Sequence, residues 1–243
     1  MQAGVESEYH RLLGEPQEGG LLVVADHASN RVPADIDLGI DPALLDAHIA
    51  VDIGVRDVAE RMVRPGTAAW LGHVSRLVCD FNRDPGAPAM VPLVSDGHAI
   101  PGNALTDEER HARAARFFHP YHDAIAALLH RCRPSLMLSL HSFTPALATS
   151  DTPRPWHVGV LYNQDERAAR LAIAWLEAQK CVVGDQEPYS GKVLNASMNR
   201  HAEANGIPYI GIEIRQDLIA DAAGQAAWAD RLTALCDTVA RPL

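Results

Sequence analysis

The sequence predicts an α/β protein, a three-layer αβα sandwich around a mostly parallel or mixed sheet, with residues 1–243 forming a single domain. Three observations predict it. Short apolar runs alternate with amphipathic stretches of helical spacing along the chain. Two of those runs, LLVVADH (21–27) and SLMLSLH (135–141), end on a histidine. Buried strands of an open α/β sheet deliver polar groups in this way to the carboxyl edge, where ligands bind. No internal repeat or low-complexity tract suggests another architecture.

The formal charge of -10, with no Lys/Arg cluster, excludes nucleic acid as a partner. A small anionic substrate needs only one or two placed arginines and stays within reach. The four cysteines form no CxxC pair, so reduced thiols in a cytoplasmic protein are expected. No basic-then-apolar leader opens the chain and no apolar run approaches ~18 residues, so no membrane partner is expected. Homo-oligomerisation is left open.

Residues 1–20 read as a peripheral lead-in, with His10 a solvated surface histidine and GEPQEGG (14–20) a turn-rich connector. The stretch LLVVADHASN (21–30) is the first core strand and its turn. Asp41-Pro42 supplies a helix cap and a first-turn proline. Leu44, Leu45, His48, Asp52, Val55, Val58 and Ala59 then recur at helical spacing, placing His48 and Asp52 on one face with apolar neighbours. A charged Asp there is costly unless it caps a break near Gly54, is paired, or binds a cation. A short strand over 68–70 precedes HVSRLVCDFNRDPG (73–86), a strand-like run that carries Arg76 and ends in Asn82-Arg83. A guanidinium beside a neutral amide suits a carboxylate.

The Pro- and Gly-rich stretch 87–103 reads as a loop covering a site. Thr106 and Glu109 form a capping box that opens a long helix to about Arg131, kinked or split by Pro120. After the second histidine strand come Ser142 and an irregular loop over 145–155, then a strand at 156–162. The helix over 165–179 sets Leu171, Ala174, Trp175 and Ala178 along its apolar stripe. A turn-like loop, GDQEPYSG (184–191), and a short helix stopped by Gly206 follow. YIGIEIRQDLI (209–219) alternates as a strand with Glu213 and Arg215 on one face. An outer helix with Trp228, Leu232 and Leu235 closes the chain.

At or near strand ends stand His27, Arg76, Asn82-Arg83, His141 and Glu213. Two imidazoles and a carboxylate hold Zn²⁺ with a position open for water. An arginine steadies an oxyanion, an Asn-Arg pair takes a substrate carboxylate, and a glutamate that is no ligand moves the proton.

The stretches DHASNRVP, HIAVDIG, SRLVCDFNR, FFHPYHDAI, SLHSFTP, RPWHVGVLYN, GDQEPYSG and IEIRQDLI together resemble the N-formylglutamate amidohydrolase family across nearly all of 21–219. The resemblance implies a fold similar to that of zinc carboxypeptidases and metal-dependent hydrolysis of an N-formyl or other N-acyl amino acid, a small-molecule substrate. It implies His27 and His141 as metal ligands, Arg76 as oxyanion donor, Asn82 and Arg83 as carboxylate clamp, and Glu213 as general base. Carboxypeptidases carry a glutamate three residues after the first histidine; here that position is Asn30, a poor zinc ligand. Asp52 is the first choice for third ligand, with His48 or Asn30 in reserve. Arg215 and Ser142 complete the expected substrate-binding set. Ser142 enters only as a hydrogen-bonding neighbour, because no GxSxG elbow surrounds it. Competing readings are another carboxypeptidase- or deacylase-type hydrolase and a non-catalytic binding protein that keeps the pocket.

Overall fold

A computed structural model describes residues 5–242. Its strands are β1 (Val5–Glu6), β2 (His10–Leu13), β3 (Leu21–Ala25), β4 (Thr67–Gly72), β5 (Val94–Ser95), β6 (His98–Ala99), β7 (Leu136–Phe143), β8 (Val158–Leu161), β9 (Val183–Asp185) and β10 (Tyr209–Arg215). Its helices are α1 (Val55–Met62), α2 (Asp107–Arg113), α3 (His119–Arg131), α4 (Arg167–Ala178), α5 (Ala196–His201) and α6 (Ala222–Val239). Eight strands form one sheet in the order β1-β2-β4-β3-β7-β10-β8-β9. The central β4, β3, β7 and β10 are parallel, while β2 and β8 join antiparallel on either flank. The short β5–β6 hairpin stands apart.

Alternation along the central strands divides the core between two faces. Val23, Leu138, Leu140, Ile210 and Ile212 pack with α1, α4 and α6, and Leu22, Val24, Met137 and Tyr209 pack with α3 and α5. Both faces are covered, which is why these strands read as continuous apolar runs. β10 lies beside β7 with Glu213 opposite His141. Parallel pairing at the same register turns both side chains to one face.

Several expectations are corrected. Within the lead-in, β1 and β2 join the sheet, and His10 is buried, its ring stacked on Trp70 at 3.9 Å and 3°. That burial lowers its pKa to about 4. The helix expected from Asp41 onward is instead a short 3-10 turn (Pro42–Asp46), an irregular stretch over 47–54, and only then α1. Gly54 makes the break. It sits at φ 78°, and a Cβ there would stand 2.2 Å from the Ile219 carbonyl oxygen. His48 and Asp52 therefore share no helix face.

The strand-like run over 74–81 is buried irregular backbone, tied by Ser75 Oγ to the Ala50 carbonyl and by Asn103 Nδ2 to the Leu77 carbonyl. Side chains satisfy polar groups that a strand would have paired in a ladder. The long helix opens on the Thr106–Glu109 capping box and runs to Arg131, with a π-helical turn over Ala114–Phe118 immediately before Pro120. The wider turn absorbs the proline without a split. On α4 the buried stripe is Ala168, Ala169, Ala172 and Leu176, and Leu171 is exposed. All four cysteines are free, Cys79 and Cys236 buried. Among the described residues no helix is long and apolar enough to cross a membrane.

Candidate metal centre and hydrolytic cleft

Three segments far apart in sequence meet at the carboxyl edge of the central strands. His27 leaves the end of β3, and His141 lies near the end of β7. Asp52 comes from the irregular stretch before α1, its N–H donated to the His27 carbonyl at 3.0 Å. All three residues are buried. The two Nδ1 atoms lie 3.2 Å apart, Asp52 Oδ2 is 2.9 Å from His141 Nδ1 and 3.5 Å from His27 Nδ1, and the whole donor set falls within 4.8 Å. Donors at the corners of a tetrahedron around zinc, with bonds of about 2.0–2.1 Å, stand about 3.3–3.4 Å apart. These residues fit such an ion, and together they can hold a divalent cation.

The next layer of residues supports that fit. Asp80 Oδ1 accepts His27 Nε2–H at 2.7 Å, which leaves Nδ1 as the lone-pair atom of that ring, the one Arg76 donates to here and a cation would take. His141 Nε2 faces Asp26 Oδ2 at 3.8 Å, both buried without a closer partner, while Tyr121 donates its hydroxyl to Asp26 Oδ1 at 2.6 Å. Each histidine is thus backed by a carboxylate. Four carboxyl groups (Asp26, Asp52, Asp80 and Glu213) crowd a space where Arg76 and Arg83 are the facing guanidinium groups, and the excess of negative charge suits a cation.

Burial raises the carboxyls here, and their neighbours decide the outcome. For Asp52, Arg76, His27 and His141 outweigh burial and hold it well below the usual range. For Asp80, the charges of His27 and Arg83 do the same. Burial lifts Glu213 to about 7, with His141 opposing and Asp52 adding to the rise. For His141, burial is overcome by the hydrogen bond to Asp52, and its pKa rises to about 9.

A cavity of about 110 Å³ opens beside the cluster, with His27, His141, Arg76, Asn82, Arg83 and Glu213 in its walls together with His48, Ser142, Phe143, Thr144, Tyr189 and Leu194. Arg76 donates to the His27 ring and lies 3.5 Å from Asp52 Oδ1. Asn82 is fixed by accepting the Ser197 N–H at 3.1 Å, and Arg83 donates to the Asn82 carbonyl at 2.9 Å. Ser142 donates its hydroxyl to the Ile53 carbonyl and its N–H to Asp52. Arg215 is not in the cleft: its guanidinium pairs with Asp217 at 2.7 Å and reaches the Pro155 and Trp156 carbonyls. Asn30 donates to Asp46 on the surface, and His48 pairs with Asp96. Neither joins the three donors. Asp26, at the end of the first core strand, and Asp80 and Tyr189, inside stretches already quoted, stand at the candidate site although the sequence assigned them no role, and Asp96, in the loop over 87–103, carried no signal of its own.

The profile of the family described as N-formylglutamate amidohydrolase matches residues 19–220. A gene product of Agrobacterium tumefaciens of known structure is 30% identical, with 96% of this chain and 95% of that one covered and a TM-score of 0.90. An N-formylglutamate amidohydrolase from Ralstonia eutropha shares the fold at 21% identity and a TM-score of 0.72, covering 96% of this chain and 98% of its own. No curated protein matches the sequence significantly.

Proposed function

The chain belongs to the N-formylglutamate amidohydrolase family, and from that premise we propose that it hydrolyses the amide bond of an N-formyl or other small N-acyl amino acid, with zinc bound by His27, Asp52 and His141. The observation that carries this reading is the facing pair of Nδ1 atoms at 3.2 Å with Asp52 between them, beside a buried glutamate without a fixed partner. Bound zinc supplies Lewis-acid activation of a water and of the scissile carbonyl.

The protein's own groups do the rest. Glu213 takes a proton from the attacking water and returns it to the leaving nitrogen, a task suited to a carboxyl raised to about 7. Arg76, anchored by Asp52 and Asp80, offers N–H groups where the tetrahedral oxyanion develops. Asn82 and Arg83 bind the free carboxylate of the amino acid and set the amide in reach of Glu213. Arg215 has no part in this scheme.

The test is release of formate and amino acid from N-formyl-L-glutamate and a panel of N-acyl amino acids, before and after chelation. Turnover is expected to stop on metal removal and return with one equivalent of zinc. Turnover that survives complete removal contradicts the metal assignment, and a panel without any turnover contradicts the substrate class.

A further inference from the structure

A second polar constellation reaches the same cleft through His48. The β5–β6 hairpin turns at Asp96, held at φ 41°. Its largely buried carboxylate accepts the N–H groups of Ala148 at 3.0 Å and Thr149 at 3.1 Å, and the Thr149 hydroxyl at 2.7 Å. It also pairs with His48 Nε2 at 3.0 Å. Burial opposes ionisation, but these donors drive the Asp96 carboxyl down to about 2, so it is an acceptor and Nε2 must be the donor. In the neutral ring Nδ1 is then an acceptor only. That atom has no partner among the described residues and is not among the buried atoms lacking one, and the ring that carries it lines the cleft.

A secondary amide carries one N–H; Glu213, whose Oε2 is unpartnered, is reserved for the attacking water, and most of the other side-chain acceptors around the cleft already receive a hydrogen bond. Asn82 Oδ1 takes the Ser197 N–H, the Tyr189 hydroxyl takes Arg154, and Thr144 Oγ1 is tied to Ala146. Ser142 Oγ donates to the Ile53 carbonyl and retains an acceptor lone pair. We propose that His48, oriented by Asp96, accepts the amide N–H of the bound substrate and so makes the cleft prefer amides to esters. This inference rests on the N-acyl amino acid reading. His48 touches the substrate, and Asp96 is a positioning residue acting through it.

The experiment compares steady-state kinetics on an N-formyl amino acid and on the O-formyl ester of the matching 2-hydroxy acid, which lacks the N–H. Zinc-loaded wild type, His48→Phe, His48→Gln and Asp96→Ala are measured. In His48→Phe the KM for the amide is expected to rise about tenfold relative to that for the ester, the size of one lost hydrogen bond, with a smaller change in kcat. His48→Gln, whose side-chain oxygen can accept, restores most of the preference, and Asp96→Ala reproduces the loss. Should His48→Phe not fold, the other two variants carry the comparison. Amide and ester KM values that move together mean that the pair only holds the loop over 144–150, and overturn the proposal. A wild type that hydrolyses no N-acyl amino acid overturns this inference and the reading beneath it, whereas an active enzyme with equal shifts overturns this inference alone.

Discussion

Asp80 illustrates how a residue that touches no substrate can set the chemistry of one that does. By accepting His27 Nε2–H at 2.7 Å it fixes which ring nitrogen is left for a cation. Asp80→Asn is expected to weaken zinc binding about 10- to 100-fold, read by competition with a chromophoric chelator. Unaltered affinity would remove Asp80 from the metal site. Glu213→Gln keeps the shape and loses the base, so kcat should drop about 10²–10⁴-fold while zinc stoichiometry stays at one. Arg83→Ala should act on KM; if substrate affinity is unchanged, the carboxylate clamp is elsewhere. The strand-end histidines and Glu213 were legible in the sequence because an ionisable group at the end of, or inside, an apolar run has few bland uses. Asp26, Asp80 and Asp96 were not, because an aspartate gains meaning only from what faces it, and their partners lie tens of residues away. Arg215 misled for the same reason: its acidic neighbour Asp217 takes the guanidinium that the cleft was expected to use.

At the scale of elements, the largest misreading was the helix from Asp41 onward. The apolar spacing is real, but local periodicity cannot report that the chain at Gly54 must pass against the backbone of residue 219. Breaking the helix there is what frees Asp52 to turn toward His27 and His141 instead of lying on a helix face. Gly54→Ala adds a Cβ into the Ile219 carbonyl and forces an L residue to φ 78°, so a loss of about 2–4 kcal/mol in unfolding free energy is expected by urea titration. A variant as stable as wild type would mean that the turn relaxes freely. The segment over 73–83 was misread in the opposite sense. Its apolar residues are buried as a strand's would be, yet its carbonyls and amides go to Ser75, Asn103 and neighbouring loops, a tertiary arrangement that no alternation rule encodes. The capping box at Thr106 was legible because all its partners lie within four residues.

For the molecule as a whole, the three-layer architecture followed from two-sided burial of the parallel strands, while the sheet order and the entry of β1 and β2 into it depended on pairing that the sequence does not encode locally. The same burial gives the fold an acid weakness. His122 and His201 share a hydrogen bond of 2.8 Å in the core, and burial lowers their pKa values to about 2 and about 4. Above the unfolded value near 6.5 both states are neutral and the pair contributes no pH dependence. As the pH falls from 6.5 toward 4, the unfolded chain binds protons that the folded chain refuses, so stability is lost at up to about 1.4 kcal/mol per pH unit for each histidine. Urea unfolding of the chelated protein at pH 7.5 and 5.5 measures this. His201→Gln should show a shallower decline, and an equal decline would place the acid sensitivity elsewhere.

The position of β10 has a consequence for synthesis. It is the last strand made, yet it pairs with β7 on one side and β8 on the other. Until residue 215 has left the ribosome, the nascent sheet has a gap at its centre with two unsatisfied edges. Those edges invite pairing with a neighbouring chain. Truncation before β10 should therefore yield an insoluble product, since one late segment supplies both the proposed general base and the keystone of the sheet.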